Sequence, residues 1–150
     1  MGDHTESVQV EYNPDVISYA DLLDIFWNNH NCTSASSRQY MSAIFCHDDQ
    51  QRALAEETKE EHQRQIGRPV STVIQQVNAF YDAEDYHQKY LLRCHRDLMK
   101  IFQIDSSNIL TSTLAARLNG FVGGHGSVAE FEKDSLDLNA EQRNVIKKLF

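Results

Sequence analysis

Val8, Val10 and Tyr12 alternate with polar residues over 7–12, the two-residue period of a half-buried strand. Asn13-Pro14-Asp15 then dictates a turn. Ser18 stands as an N-cap before Leu22, Leu23, Phe26 and Trp27, which gather on one side at helical spacing. After a polar stretch over 28–37, residues 39–46 carry a Tyr-Met-Ser-Ala-Ile-Phe core with apolar side chains on both faces, which predicts a covered strand. Asp48 and Asp49 open a strongly charged, mostly solvent-facing helix to about Ile66, and Gly67-Arg68-Pro69 is its stop signal. Residues 70–81, rich in β-branched and aromatic types, predict a third strand. From Ala83 onward Tyr90, Leu91, Cys94, Leu98, Ile101 and Phe102 recur at spacings that predict one long helix lying on a sheet. The order read from the pattern is strand, helix, strand, helix, strand, helix.

Residues 106–119 predict a further helix that ends at Gly120, with Gly123, Gly124 and Gly126 supplying a tight loop. Ser127 and Glu130 have capping-box spacing, and Asn139 can cap a last helix through Leu149. No linker composition separates this tail from the body, so it is expected to pack on it.

Composition narrows the function classes. The 150 residues carry 14 Lys+Arg against 22 Asp+Glu, a net charge of −8, which argues against a nucleic-acid partner. With 41% hydrophobic and 24% charged residues the chain has the composition of a folded globular protein. No apolar run reaches the roughly 18 to 20 residues that a membrane span requires. The opening Met-Gly-Asp-His-Thr-Glu has neither the basic start nor the apolar stretch of a leader, so a cytoplasmic protein is expected. Cys32, Cys46 and Cys94 are far apart and form no Cys-x-x-Cys pair, the pattern of reduced thiols. The expected state is a monomer.

Two clusters hold candidate chemistry. Residues 80–90 crowd aromatic, acidic and imidazole groups at a strand-to-helix junction, where a carboxylate such as Asp85 can orient a neighbouring phenol or a ligand's polar atom. Composition alone favours the plainer reading, Asp85 as a helix-end acid and Tyr90 as a core ring. Glu6 precedes the first apolar alternation, so it is either a carboxyl at the edge of a buried surface, suited to proton donation, or an exposed acid in a frayed end. His4, Glu6, His30, Cys46 and His47 lack chelating spacing, and no metal is expected. Cys94, on the apolar face of its helix, and Cys46, at a strand end, read as inert buried thiols, and Cys32, in a polar loop, as exposed. The glycines after residue 119 follow a helix and lack a Walker lysine, so they read as turn glycines.

The string Phe80-Tyr-x-Ala-Glu-Asp-Tyr-His-Gln-x-Tyr90 resembles the signature of the peptide methionine sulfoxide reductase A family. Gly2-Asp-His-Thr-Glu6, Ile17-Ser-Tyr-x-x-Leu-Leu-x-x-Phe-Trp-x-Asn-His30 and Gln39-Tyr-x-Ser-Ala-Ile44 resemble further motifs of that family, in the right order. The resemblance covers about residues 2 to 95, with the short loop before Tyr40 typical of a compact subgroup. It implies reduction of methionine-S-sulfoxide, free or in proteins, to methionine. It implies Glu6 as proton donor, Tyr90 as hydrogen-bond donor to the sulfoxide oxygen and Asp85 as the group that positions and polarises the site. No bound cofactor is implied; a thioredoxin-type thiol reductant is the implied partner, beside methionine sulfoxide-containing proteins or peptides.

The family's attacking cysteine lies in a Gly-Cys-Phe-Trp-Gly motif, and no Cys of this sequence is followed by Phe-Trp. A Gly-Tyr-x-Gly-Gly stretch before the Gly-x-His-x-Glu motif is likewise missing, and Asp82 stands where relatives carry an apolar or aromatic residue. The expected fold is α+β: a two-layer α/β sandwich, a ferredoxin-like reductase core over 1–104 lacking its first strand-helix-strand, plus a helical extension over 105–150 packed on it. Such a truncated core is expected to leave Val8, Val10 or the strand around Ile44 without an apolar partner. The chain alone is expected to lack turnover. The rival reading is an inactive remnant or isoform that binds oxidised-methionine peptides or an intact reductase.

Overall fold

A computed structural model describes residues 4–150, so Gly2 and Asp3 of the first motif lie outside the described residues. The chain divides into two compact units, one through Phe80 and one over Tyr81–Phe150, each with its own hydrophobic core. Among the described residues no helix is long and apolar enough to cross a membrane.

The first unit is built around a βαβ element. Helix α1, Tyr19–Asn28, starts where expected: Ser18 accepts a bond from the Asp21 amide while the Asp21 carboxylate accepts from the Ser18 amide, a reciprocal capping box. Strand β1, Ala43–Cys46, and strand β2, Val73–Gln76, pair in parallel with Ala43 opposite Val73 and Cys46 opposite Gln76. Parallel strands need a crossover, and helix α2, Asp49–Ile66, supplies it. Asp48 caps its N-terminus and Gly67, at φ 65, ends it in the left-handed region that glycine adopts without strain. Leu23 and Trp27 of α1, Ile44 and Cys46 of β1, Ala55 of α2, Val70 and Cys32 form the core. The Trp27 indole donates to Thr58 Oγ1 at 3.0 Å and stacks on His62, the pairing that a buried indole N–H requires.

The predicted first strand is absent. Residues 7–12 lie outside the two-stranded sheet, and Val8 is 87% and Val10 58% exposed. Alternation marks a face that a sheet could cover, but a strand forms only where a ladder partner is present. Of the places where uncovered apolar surface was expected, Val8, Val10 or the strand around Ile44, the two valines are exposed and Ile44 is buried. The strand predicted over 70–81 is likewise confined to Val73–Gln76. β1 ends at Cys46, and two residues later Asp48 begins to cap α2, so no ladder remains for the residues after Val77. The chain therefore begins helix, strand, helix, strand.

The second unit is helical: α3, Tyr90–Arg93; α4, Arg96–Ile101; α5, Thr113–Val122; α6, Val128–Lys133; α7, Ala140–Lys147. The single long helix expected after Ala83 is broken twice. Lys89 adopts φ 49 and His95 is non-helical, so the apolar spacing is satisfied by two short helices that share a helical core instead of lying on a sheet. The helix expected over 106–119 begins only at Thr113, capped by Ser112, and passes through Gly120 to Val122. Before it, Asp105 Oδ1 accepts from the Ser107 amide and hydroxyl while Asn108 Oδ1 accepts from the Asp105 amide. These polar side chains satisfy the backbone locally and hold turns in place of a helix. Ser127 and Asn139 cap α6 and α7 as expected. Leu92, Ile109, Leu118, Phe131 and Ile146 are fully buried at the centre of this core.

Candidate functional site

Three of the four motif segments converge in the first unit. Glu6 is clamped to Gln39 at two points: its amide donates to the Gln39 carbonyl at 2.9 Å and its Oε1 accepts from Gln39 Nε2 at 2.9 Å. Thr5 Oγ1 donates to the Arg38 carbonyl. At the end of α1, His30 Nδ1 lies 2.7 Å from the Phe26 carbonyl, an oxygen that can only accept, so Nδ1 carries the proton. In the neutral ring Nε2 then accepts from Ser42 Oγ at 2.7 Å, and Ser42 in turn meets the buried Thr72 hydroxyl at 2.8 Å. Glu6 itself is exposed, not set at the edge of a buried surface.

The fourth motif belongs to the second unit and carries Asp85 and Tyr90. Asp85 opens a short 3-10 turn, Asp85–His87, not a long helix. Both its carboxylate oxygens are held: Oδ1 by Arg93 Nη2 at 2.6 Å, Oδ2 by Ser106 Oγ at 3.0 Å. Arg93 Nε also donates to the Gln88 carbonyl at 2.9 Å, so one guanidinium fastens the carboxylate to the turn that follows it. With both partners partly in solvent, this ion pair contributes about 0 to 1 kcal/mol; what it fixes is direction. Tyr90, at the start of α3, is 64% exposed, which removes the core-ring reading. Lys89 just before it, in the left-handed region, reaches the Leu110 carbonyl with Nζ at 3.2 Å, and the Leu92 amide donates to Asn119 Oδ1 at 3.1 Å. A first-turn amide of α3 thus finds its acceptor on α5.

Sequence reasoning located Asp85 and Tyr90 but missed Arg93, Ser106 and Asn119. Arg93 lies eight residues and Ser106 twenty-one residues beyond Asp85, separations that follow no helical period, so nothing local announces them. The pairing of Glu6 with Gln39 did carry a signal, since both belong to motifs of one resemblance.

The thiols exchange places relative to expectation. Cys32 is buried, and Cys94 is exposed because α3 ends at Arg93 and Cys94 falls at its C-cap, bordering an open cavity of about 600 Å3 lined by residues 93–98 and Leu149. Cys32 instead packs in the first unit's core. Cys46 is fully buried, and burial pushes its thiol up against a weaker opposing effect of the Tyr19 hydroxyl. The Tyr19 phenol is pushed above its ordinary value by its own burial and by that thiol. Neither is poised to ionise near neutral pH. Among the described residues no three His, Cys, Asp or Glu side chains gather as a metal would require.

Comparison with known proteins matches residues 1–118 to the family described as peptide methionine sulfoxide reductase. Residues 105–150 match the helical domain of selenoprotein methionine sulfoxide reductase A. The chain is 41% identical over 148 residues to a peptide methionine sulfoxide reductase of Drosophila melanogaster, covering 95% of this chain and 60% of the relative. It is 39% identical over 129 residues to peptide methionine sulfoxide reductase A5 of Arabidopsis thaliana, covering 81% and 51%. To the MsrA of Methanococcus maripaludis it is 37% identical over 102 residues, covering 64% and 65%. The chain thus spans between half and two thirds of the length of these relatives.

Proposed function

This chain belongs to the peptide methionine sulfoxide reductase family, and on that premise we propose that it carries the acid side of methionine-S-sulfoxide reduction. In this reading the Tyr90 phenol donates a hydrogen bond to the sulfoxide oxygen, Asp85 orients the polar groups around it, and Glu6 delivers the proton as the S–O bond breaks. The attacking thiolate of the full reaction takes the oxygen and ends as a sulfenic acid, while the substrate leaves as a thioether. An external dithiol of thioredoxin type then returns the sulfenic acid to the thiol, ending as a disulfide while the oxygen leaves as water, with no bound cofactor. The substrates are methionine sulfoxides in proteins or peptides.

The observation that carries the reading is the presentation of Tyr90. An exposed phenol directly follows a strained residue and stands on a segment whose carboxylate is held at both oxygens. Strain of this kind persists only where surrounding bonds impose it and is concentrated at functional sites.

These 150 residues contain no Gly-Cys-Phe-Trp-Gly motif, Cys46 and Cys32 are buried, and Cys94 lies outside the four motif segments. The polypeptide by itself is therefore proposed to bind an S-sulfoxide without turning it over. The test is an assay with N-acetylmethionine-S-sulfoxide and dithiothreitol. Turnover abolished by Cys94→Ser would assign the nucleophile to that thiol and overturn the proposal. Binding that does not distinguish the S from the R epimer would remove the substrate assignment.

A further inference from the structure

We propose that Ser106 and Arg93 are positioning residues that set the direction of the Asp85 carboxylate, and that the helical extension braces the acid side of the site through Ser106. The inference rests on the reading of Asp85 and Tyr90 given above. A carboxylate on a short side chain is free to rotate unless both oxygens are engaged. Here one oxygen is held by Arg93, eight residues on, and the other by Ser106, twenty-one residues on. Each oxygen keeps a further acceptor site, so the pair orients the group without consuming it.

Ser106 lies within residues 105–150, the stretch matched by the helical domain. The same stretch fastens the site segment twice more, at Lys89 through the Leu110 carbonyl and at Leu92 through Asn119 Oδ1. Three points of attachment over the eight residues from Asp85 to Leu92 run through the turn and past Tyr90, and the middle one is Lys89, the residue in the left-handed conformation. Ser106 is itself exposed and belongs to no core. Its hydroxyl can therefore be removed without opening a cavity, and its contribution is separable from folding.

The experiment compares the 150-residue chain with Ser106→Ala and Ser106→Thr by native-state hydrogen exchange and by NMR titration with N-acetylmethionine-S-sulfoxide and its R epimer. Loss of one hydrogen bond to a charged acceptor is expected to speed exchange roughly fivefold or more at the His87 and Gln88 amides and to weaken S-epimer binding by a similar factor. Ser106→Thr, which restores the hydroxyl, is expected to return both to wild-type values while the thermal midpoint stays the same in all three chains. Unchanged exchange in Ser106→Ala overturns the brace. Faster exchange with unchanged S-epimer affinity overturns the positioning role. Faster exchange in a chain whose wild type does not distinguish the epimers upholds the brace and overturns the substrate reading beneath it.

Discussion

The unit through Phe80 and the unit over Tyr81–Phe150 each hold a candidate carboxylate, but they hold it differently. Glu6 is tied to the backbone and side chain of a single neighbour, Gln39, on an extended stretch flanked by exposed valines. Asp85 is tied to a guanidinium and a hydroxyl, on a segment pinned to a helical core. A group that must release a proton can tolerate a light tether, whereas one that must aim a hydrogen bond needs two fixed points. The contrast predicts that damage to the second unit's packing disturbs Asp85 and Tyr90 before it disturbs Glu6.

The strongest way to break this comparison is Phe131→Ala, which empties the centre of the second core and is expected to cost ~3–5 kcal/mol. Urea denaturation followed by far-ultraviolet circular dichroism should show the loss. Trp27, the chain's single tryptophan and a residue of the first core, should keep its wild-type fluorescence midpoint. A shift shared by both probes would show that the units unfold as one. Smaller in effect, Lys89→Val places a β-branched residue in the left-handed region and is expected to destabilise the second unit by ~1–3 kcal/mol more than Lys89→Gly, since both lose the bond to the Leu110 carbonyl and only valine is strained. Equal midpoints for the two variants would remove the strain. A sharper distinction with no energetic cost comes from alkylation. Iodoacetamide should add one label to the native chain, at Cys94, and three in denaturant, counted by mass spectrometry.

The smallest effect is on acid stability. Hydrogen bonds from Ser18 hold Asp21 below the usual carboxylate range, and the Ser107 hydroxyl and amide do the same for Asp105. A lowered folded-state value means that the stabilisation is present above the unfolded value of about 4 and disappears as pH falls through the folded one. Below about pH 4, amide exchange measured against the intrinsic rate at each pH should therefore accelerate at the start of α1 and in the turn after Asp105. Ser18→Ala should flatten the first response and leave the second. Acceleration at neither place would mean that these bonds do not distinguish the folded chain.

Where a structural signal is local, the sequence discloses it. Ser18, Asp48, Ser127 and Asn139 cap their helices because a short polar side chain meets its amide three residues on, and Gly67 ends α2 for a reason visible in its own chemistry. Legibility fails where a distant partner decides. Residues 7–12 have the alternation of a strand, but no ladder exists to pair with. The break at Lys89 depends on Leu110 and Asn119, and lysine gives no hint of it. The same dependence hid the supports of Asp85. Its identity was readable from the motif, whereas Arg93 and Ser106 emerge only when the turn has folded. The exposure of Cys94 has the same root, since one break in a supposed helix exposes a side chain that regular spacing would have buried.

The bare valine strip has a bearing on handling. Val8 and Val10 form an uncovered alternating edge, the arrangement on which foreign strands template and from which precipitates nucleate. Glu6 and Glu11 bracket them, and repulsion between these charges on two copies opposes such pairing. Salt screens those two charges and so weakens the opposition.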